Sequence, residues 1–363
     1  MGIGGEVPMY STGNRFRIGL FGRSHADCIG CIVSGLPIGM RIDEDHLNER
    51  MRLRKPSDGI GTPRKEDDAP VFEYGVRDGI VTEDTVLITI YNGNKDSSAY
   101  SGFNVTPRPG HADLPALMKF RDFDVSGGAQ FSGRMTAPLV AAGALAEQAL
   151  SKKGIRVAAY TRSIYDVIDK EERTPEEIAS SVNFRTRACT ADLDSRMTDA
   201  IMKAREEKDS VGGVIGCTIT GLEPGFGGIW FDALDTTLAK MMFSIPAVKG
   251  VEFGKGFGIT GMRGSQSNDP YTVKDGRIAA RSNNMGGICG GMCDGMPVTF
   301  NVAVKPTPSI GIEQDTVDLE RMCDSKVRIG GRHDPCIVPR AVAVVEAMAA
   351  ITVLDQLLSF TSS

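Results

Sequence analysis

Apolar residues fall along this chain in two periods. Short runs of β-branched or small apolar side chains between turn-forming residues occupy 28–34, 85–91, 155–160, 214–219 and 298–304, and each predicts a strand. Stretches with the three-to-four-residue spacing of helices lie between them, at 43–51, 134–152, 190–208, 233–242 and 339–358. Pro339 suits a first helical turn, where its missing N–H leaves nothing unpaired, and Gly154 suits the end of the helix before it. The segment 190–208 is polar along one face, whereas 134–152 and 339–358 are apolar nearly all round. A helix without a polar face has to be covered on every side, so the pattern predicts helices enclosed between sheets. The chain shows no Pro/Ser-rich linker, low-complexity tract or clear repeat, which favours one α/β domain over 1–363. The segments 54–68 and 92–110 read as mobile loops.

Composition narrows the partners. With 41 Lys and Arg against 46 Asp and Glu, the net charge is -5, and no long basic stretch offers a surface to nucleic acid or an anionic membrane. The first residues lack the basic and apolar regions of a signal peptide, so a cytoplasmic protein is expected. The most apolar stretch, 341–358, holds Glu346 and Asp355 and reads as a buried helix rather than a membrane span. Eight cysteines are then expected as reduced, mostly buried thiols. The spacing of Cys28 and Cys31, with Cys289 and Cys293, leaves a zinc site conceivable; Cys31 in a strand-like run and Cys289 among glycines argue against it, and no metal is expected. The glycine-rich stretches include neither a Walker A sequence nor a GxGxxG between strand and helix, which disfavours P-loop and Rossmann enzymes.

The candidate chemistry is concentrated. Three of the four histidines sit in dense polar clusters: Ser24-His25, Arg108-Pro-Gly-His111-Ala-Asp113 and Arg332-His333-Asp334. Histidine moves protons near neutral pH, so these clusters point to one proton-handling pocket. A hydroxyl beside an imidazole in sequence is not a nucleophile–base pair, and without a GxSxG a hydrolase triad is a weak reading. Ser132, Arg134 and Thr136 open a helix after a glycine-rich stretch, where free N–H groups can cradle an anion. Lys305-Pro-Thr307-Pro-Ser309 follows a strand with a cation and two hydroxyls, a set suited to phosphate.

Taken in order, these segments resemble one family. Gly13-Asn-Arg-Phe-Arg17, Phe21-Gly-Arg-Ser24-His25, the His111 turn, Ser132-Gly-Arg134, Ser244-Ile-Pro-Ala-Val-Lys249-Gly-Val-Glu252, Arg263-Gly-Ser-Gln266, Ser282-Asn-Asn with Gly286-Gly287 and Gly290-Gly291, Lys305-Pro-Thr, and Gly331-Arg-His-Asp-Pro-Cys336 with Pro339-Arg-Ala-Val are similar to the motifs of chorismate synthases, across nearly the whole chain. The resemblance implies a β-α-β sandwich of helices between antiparallel sheets, an α/β (α+β) class, assembled as a homotetramer. It implies a 1,4-elimination of phosphate from 5-enolpyruvylshikimate 3-phosphate, with loss of a C6 hydrogen, giving chorismate with reduced FMN as cofactor.

By the same resemblance, His25 is the acid near the leaving phosphate, His111 protonates or stabilises the flavin at its N1/O2 edge, and Asp334 serves flavin N5. Substrate contacts carry over to Ser24, Arg23, Arg54, Ser132, Arg134 and Arg332, and FMN contacts to Gly286, Gly287, Gly290, Lys305 and Ser309. No NADPH fingerprint is visible, so an external flavin reductant is expected. The chain departs from the pattern at Arg23, usually Glu, at Ala26, usually Gly, at Leu53, and by the lack of a phosphate-holding Arg downstream of Pro56. These changes suggest that the positive charge has moved to Arg23, with Arg64 and Lys65 as helpers. They leave open a paralogue with a different substrate, or a non-catalytic flavin- or metabolite-binding module.

Overall fold

A computed structural model describes residues 10–56, 59–61, 68–93, 102–120, 123–274, 276–330 and 333–360. The first sheet contains β1 Tyr10–Thr12, β2 Arg17–Gly22, β3 Cys28–Ser34, β4 Val71–Tyr74 and β5 Thr85–Tyr91, in the order β1-β2-β3-β5-β4. The second contains β6 Arg156–Ile164, β7 Val167–Ile168, β8 Gly213–Thr220, β9 Val248–Phe253 and β10 Val298–Val304, in the order β9-β10-β8-β6-β7. Every neighbouring pair in both sheets is antiparallel. The longer helices are α1 Glu44–Arg54, α2 Thr136–Ser151, α3 Ala191–Glu206, α4 Leu234–Phe243 and α5 Val338–Phe360.

Helices α2 and α5 pack along each other, α2 against β3 and β5 of the first sheet, α5 against β6 and β8 of the second. The sandwich expected from two helices without polar faces is therefore present. Burial is unbroken from Thr136 to Ala146 in α2 and from Ala341 to Leu354 in α5. The pair approaches so closely at Gly143 that a Cβ there would lie 2.3 Å from Ala347 Cβ. Helix α5 is long and apolar enough to cross a membrane, yet most of it is buried inside this fold.

Two strands escape the apolar pattern. In β2 (Arg-Ile-Gly-Leu-Phe-Gly), which lies between β1 and β3, and in the edge strand β9 (Val-Lys-Gly-Val-Glu-Phe), glycine and charged residues interrupt the β-branched runs by which strands are read. Helix α2 starts two residues later than its apolar spacing suggests, because Gly133–Met135 forms a separate 3₁₀ turn whose Arg134 N–H donates to Ser132 Oγ at 3.3 Å.

A buried ionic network crosses the helical layer. Glu346 of α5 is 3 % exposed and accepts from the backbone N–H of Ala159 at 2.9 Å. Its carboxylate lies 3.1 Å from Arg50 and 3.3 Å from Arg187. Arg50 forks onto Glu147 at 2.6 and 2.7 Å, and His46, the fourth histidine, meets the same carboxylate at 2.8 Å. At the far end of α5, Asp355 accepts from the N–H groups of Asn14, Arg15 and Phe16 at 2.9, 2.7 and 2.9 Å, and so fixes the turn between β1 and β2.

Candidate active site

The start of α2, the end of α1, the exit of β10 and the entry to α5 converge on a cavity of about 2130 Å³. Its walls include Arg54, Asp68, His111, Ser132, Arg134, Lys305, Ser309, His333, Asp334 and Arg340. Cations and hydroxyls from segments nearly three hundred positions apart thus share one space.

The His111 turn is held from behind. Arg108 donates to both oxygens of Asp113, from Nε at 2.6 Å and from a terminal nitrogen at 2.8 Å, and both side chains are buried. The acid and base that flank the imidazole in sequence therefore pair with each other. His111 Nδ1 lies 3.3 Å from Pro109 O, and Nε2 lies 2.8 Å from Ser309 Oγ. A carbonyl only accepts, so Nδ1 carries the hydrogen, and in the neutral ring Nε2 accepts from the Ser309 hydroxyl. Burial first, then the Arg108 guanidinium, lowers the imidazole to about 4. Lys305 donates to Gly110 O at 3.2 Å, and burial together with Lys249 holds its ammonium below the ordinary lysine value.

Asp334 is anchored at both ends. Its carbonyl accepts from Thr307 Oγ1 at 2.6 Å, and its carboxylate accepts from Arg340 at 2.6 Å. Across the cavity, Asp68 bridges two arginines, one oxygen to Arg54 and the other to Arg134. Although burial favours the neutral acid, these guanidiniums hold the Asp68 carboxyl below its usual range. Arg134 Nε also donates to Asn92 Oδ1 at 3.0 Å, and Asn92 Nδ2 donates to Ala26 O at 2.8 Å, which ties this arginine to the turn that carries His25.

His25 stands just behind the wall. It is not among the described residues lining the cavity; Gly127 is, and a Cβ at Gly127 would fall 2.3 Å from His25 Cδ2. Gly127 has φ +61°, and Ser24 Oγ donates to its carbonyl at 3.1 Å. A glycine is needed here both for the left-handed backbone and for the contact with the imidazole.

Not every expected contact converges. Arg23 follows the Gly22 turn at the end of β2 and is exposed, outside the described lining of the cavity, so its position does not support the compensating role expected of it. Gly286, Gly287 and Gly290 also lie outside that lining. The first two press on backbone, with Cβ positions 2.4 Å from Gly254 N and 2.5 Å from Pro297 O, and all three have positive φ. They shape the turns around the hairpin of Ile288–Cys289 and Met292–Cys293. Arg332, Arg64 and Lys65 lie outside the described residues. Asp68 and Asn92 are site residues that pattern reading passed over, and Arg340 is one that it quoted in a motif without a role.

The cavity suits a flat anionic cofactor. Phe243, Ile245, Pro246, Ala247 and Val248 give it an apolar strip beside Lys249 and Lys305, and its volume accommodates a substrate as well. Among the described residues no group of three or more His, Cys, Asp or Glu side chains is placed to hold a metal ion.

Three comparisons bear on the identity of this site. The family model described as chorismate synthase matches residues 16–358. The chain is 44% identical over 340 residues to the chorismate synthase of Thermococcus gammatolerans, covering 93% of this chain and 95% of that protein. It is also 44% identical over 351 residues to that of Dehalococcoides mccartyi, covering 95% of each. A crystal structure of a chorismate synthase superposes with a TM-score of 0.75 at 26% identity, over 96% of this chain and 93% of that one.

Proposed function

Because the chain belongs to the chorismate synthase family and has its function, we propose that the cavity takes 5-enolpyruvylshikimate 3-phosphate together with reduced FMN and eliminates phosphate. The observation that carries this reading is the convergence of Arg54, Arg134, His111, Lys305, Ser309 and Asp334 on one space. The alternatives of a paralogue with another substrate and of a non-catalytic binding module are not favoured by relatives at this identity and coverage.

The residues divide the work by charge. Arg54 and Arg134 form the cationic end that a leaving phosphate requires, at the head of α2 where backbone N–H groups also point. Ser24 and His25 lie behind Gly127, one glycine removed from that end, a position that supports His25 as proton donor to the departing phosphate. At the other end, Lys305, Ser309 and His111 meet a second anionic group. An anion arriving there favours the charged imidazole, so we infer that cofactor binding drives proton uptake at His111 Nε2, with the Ser309 hydroxyl turning from donor to acceptor. Asp334, on the wall of the same cavity, is fixed by Arg340 and Thr307.

Reduced FMN, when bound, supplies the electronic chemistry of an elimination that is redox-neutral overall. Lys305, Ser309 and His111 are the residues that would hold it. An external reductant, a cytoplasmic location and a single domain over 1–363 complete the proposal. A homotetramer is supported by Trp230 and Phe231, which are 81% and 88% exposed and apolar. Anaerobic incubation with chemically reduced FMN and the enolpyruvyl substrate tests the reading: phosphate and chorismate should appear in equal amounts, and release of neither would overturn it.

A further inference from the structure

We propose that Asp68 is a positioning residue that makes one anion-binding fork of Arg54 and Arg134. The inference rests on the reading that this end of the cavity receives the substrate phosphate. Three separate segments supply the group: Arg54 is the last residue of α1, Asp68 precedes β4, and Arg134 precedes α2. Their side chains are 4%, 1% and 7% exposed, so two guanidiniums are held in a largely desolvated place where like charges repel strongly. Asp68 resolves that conflict with one oxygen for each arginine, and a planar carboxylate so placed dictates the spacing of the two forks.

The rest of the environment shows why the carboxylate is needed. Arg54 Nε is buried and has no hydrogen-bond partner among the described residues, where the side chain's one hydrogen bond besides that to Asp68 goes to Thr136 Oγ1 at 3.4 Å. Arg54 is therefore aimed mainly by Asp68. Arg134 has Asn92 as a further anchor, at 3.0 Å. With one negative and two positive charges, the trio keeps a net positive charge, so the fork still attracts an anion after Asp68 is counted. Asp68 itself has φ +45°, a left-handed conformation that Asp tolerates better than most residues.

The test uses the FMN-loaded enzyme under reducing, anaerobic conditions, with inorganic phosphate as a second probe. Asp68→Asn removes the charge and keeps the shape. It should raise the substrate KM about tenfold or more, the order expected on losing charge-assisted contacts, and raise the inhibition constant of phosphate in parallel. FMN affinity should stay near wild type, which loss of fold would not allow. An unchanged KM, a fall in kcat alone, or a lower KM overturns the proposal; in the last case Asp68 competes for the seat instead of shaping it. If Asp68→Asn does not fold, Asp68→Glu decides: it keeps the charge but shifts it by one methylene, and a folded variant with wild-type KM and phosphate inhibition refutes the positioning role. Absence of phosphate release by the wild type would instead refute the reading of the cavity, whatever the variants do.

Discussion

His111 and Ser309, 198 positions apart in the chain, meet with Nε2 and Oγ separated by 2.8 Å. The contact joins the turn before a short helix, Asp113–Lys119, to the exit of β10. The Pro109 carbonyl keeps the hydrogen on Nδ1, so Nε2 is the nitrogen that accepts from this hydroxyl. Ser309→Ala should therefore weaken FMN binding about fivefold, the worth of a neutral hydrogen bond of about 1 kcal/mol. Titration of flavin fluorescence measures it, and wild-type affinity would detach Ser309 from the cofactor end.

The imidazole of His111 also predicts a pH dependence. Its pKa is about 4 in the folded protein, against an ordinary 6.5. Between those values the unfolded chain binds the proton and the native protein does not, so His111 makes stability fall as pH drops from 6.5 towards 4. Urea midpoints across that window should decline less steeply in His111→Asn than in wild type. Equal slopes would assign the acid sensitivity elsewhere.

Glu346→Gln takes away the carboxylate that faces Arg187 and leaves Arg50 on Glu147 alone. Arg50 and Arg187 both face this carboxylate inside the helical layer. Breaking a buried pair by removing one partner costs about 3–5 kcal/mol, because the remaining charge stays desolvated. The denaturant midpoint should fall accordingly at unchanged m-value, and a loss under about 1 kcal/mol would show that water reaches the network.

Gly127→Ala places a methyl group 2.3 Å from His25 Cδ2 and 2.6 Å from Ser24 Oγ. The imidazole has to move, so turnover should drop by two orders of magnitude or so, the usual contribution of a positioned acid. FMN affinity should hold, since Lys305 and Ser309 are untouched. Steady-state kinetics beside a flavin titration separate the two, and normal turnover would remove His25 from the chemistry.

Much of this arrangement is legible in the sequence, and the gaps have physical causes. The all-round apolar spacing of α2 and α5 announces the sandwich, because no other packing covers such helices. Asp68 is hidden because it ends a run of charged residues, Arg64-Lys-Glu-Asp-Asp68, that reads as a solvated loop. Only the fold turns its last member inward, against two arginines. Asn92 likewise has no local signal, since it acts on Arg134, which the topology and not the spacing brings near, whereas Arg340 stands in a quoted motif close in sequence to Asp334. The glycines at 286 and 287 illustrate the converse: they stand in a family motif, and within this chain their small size serves tight backbone packing.

Helix α5 joins the cavity, through Arg340 and Asp334, to the β1–β2 turn, through Asp355. During synthesis on the ribosome the first sheet emerges long before its clamp, with the N–H groups of Asn14, Arg15 and Phe16 waiting for a carboxylate some 340 residues later. Helix α5 covers β6 and β8 of the second sheet and one side of α2, and these surfaces stay uncovered until it is made. Maturation of the nascent chain is thus completed late: an arrested chain stopping short of residue 338 would expose the apolar side of α2 and the face of the second sheet to chaperones and proteases.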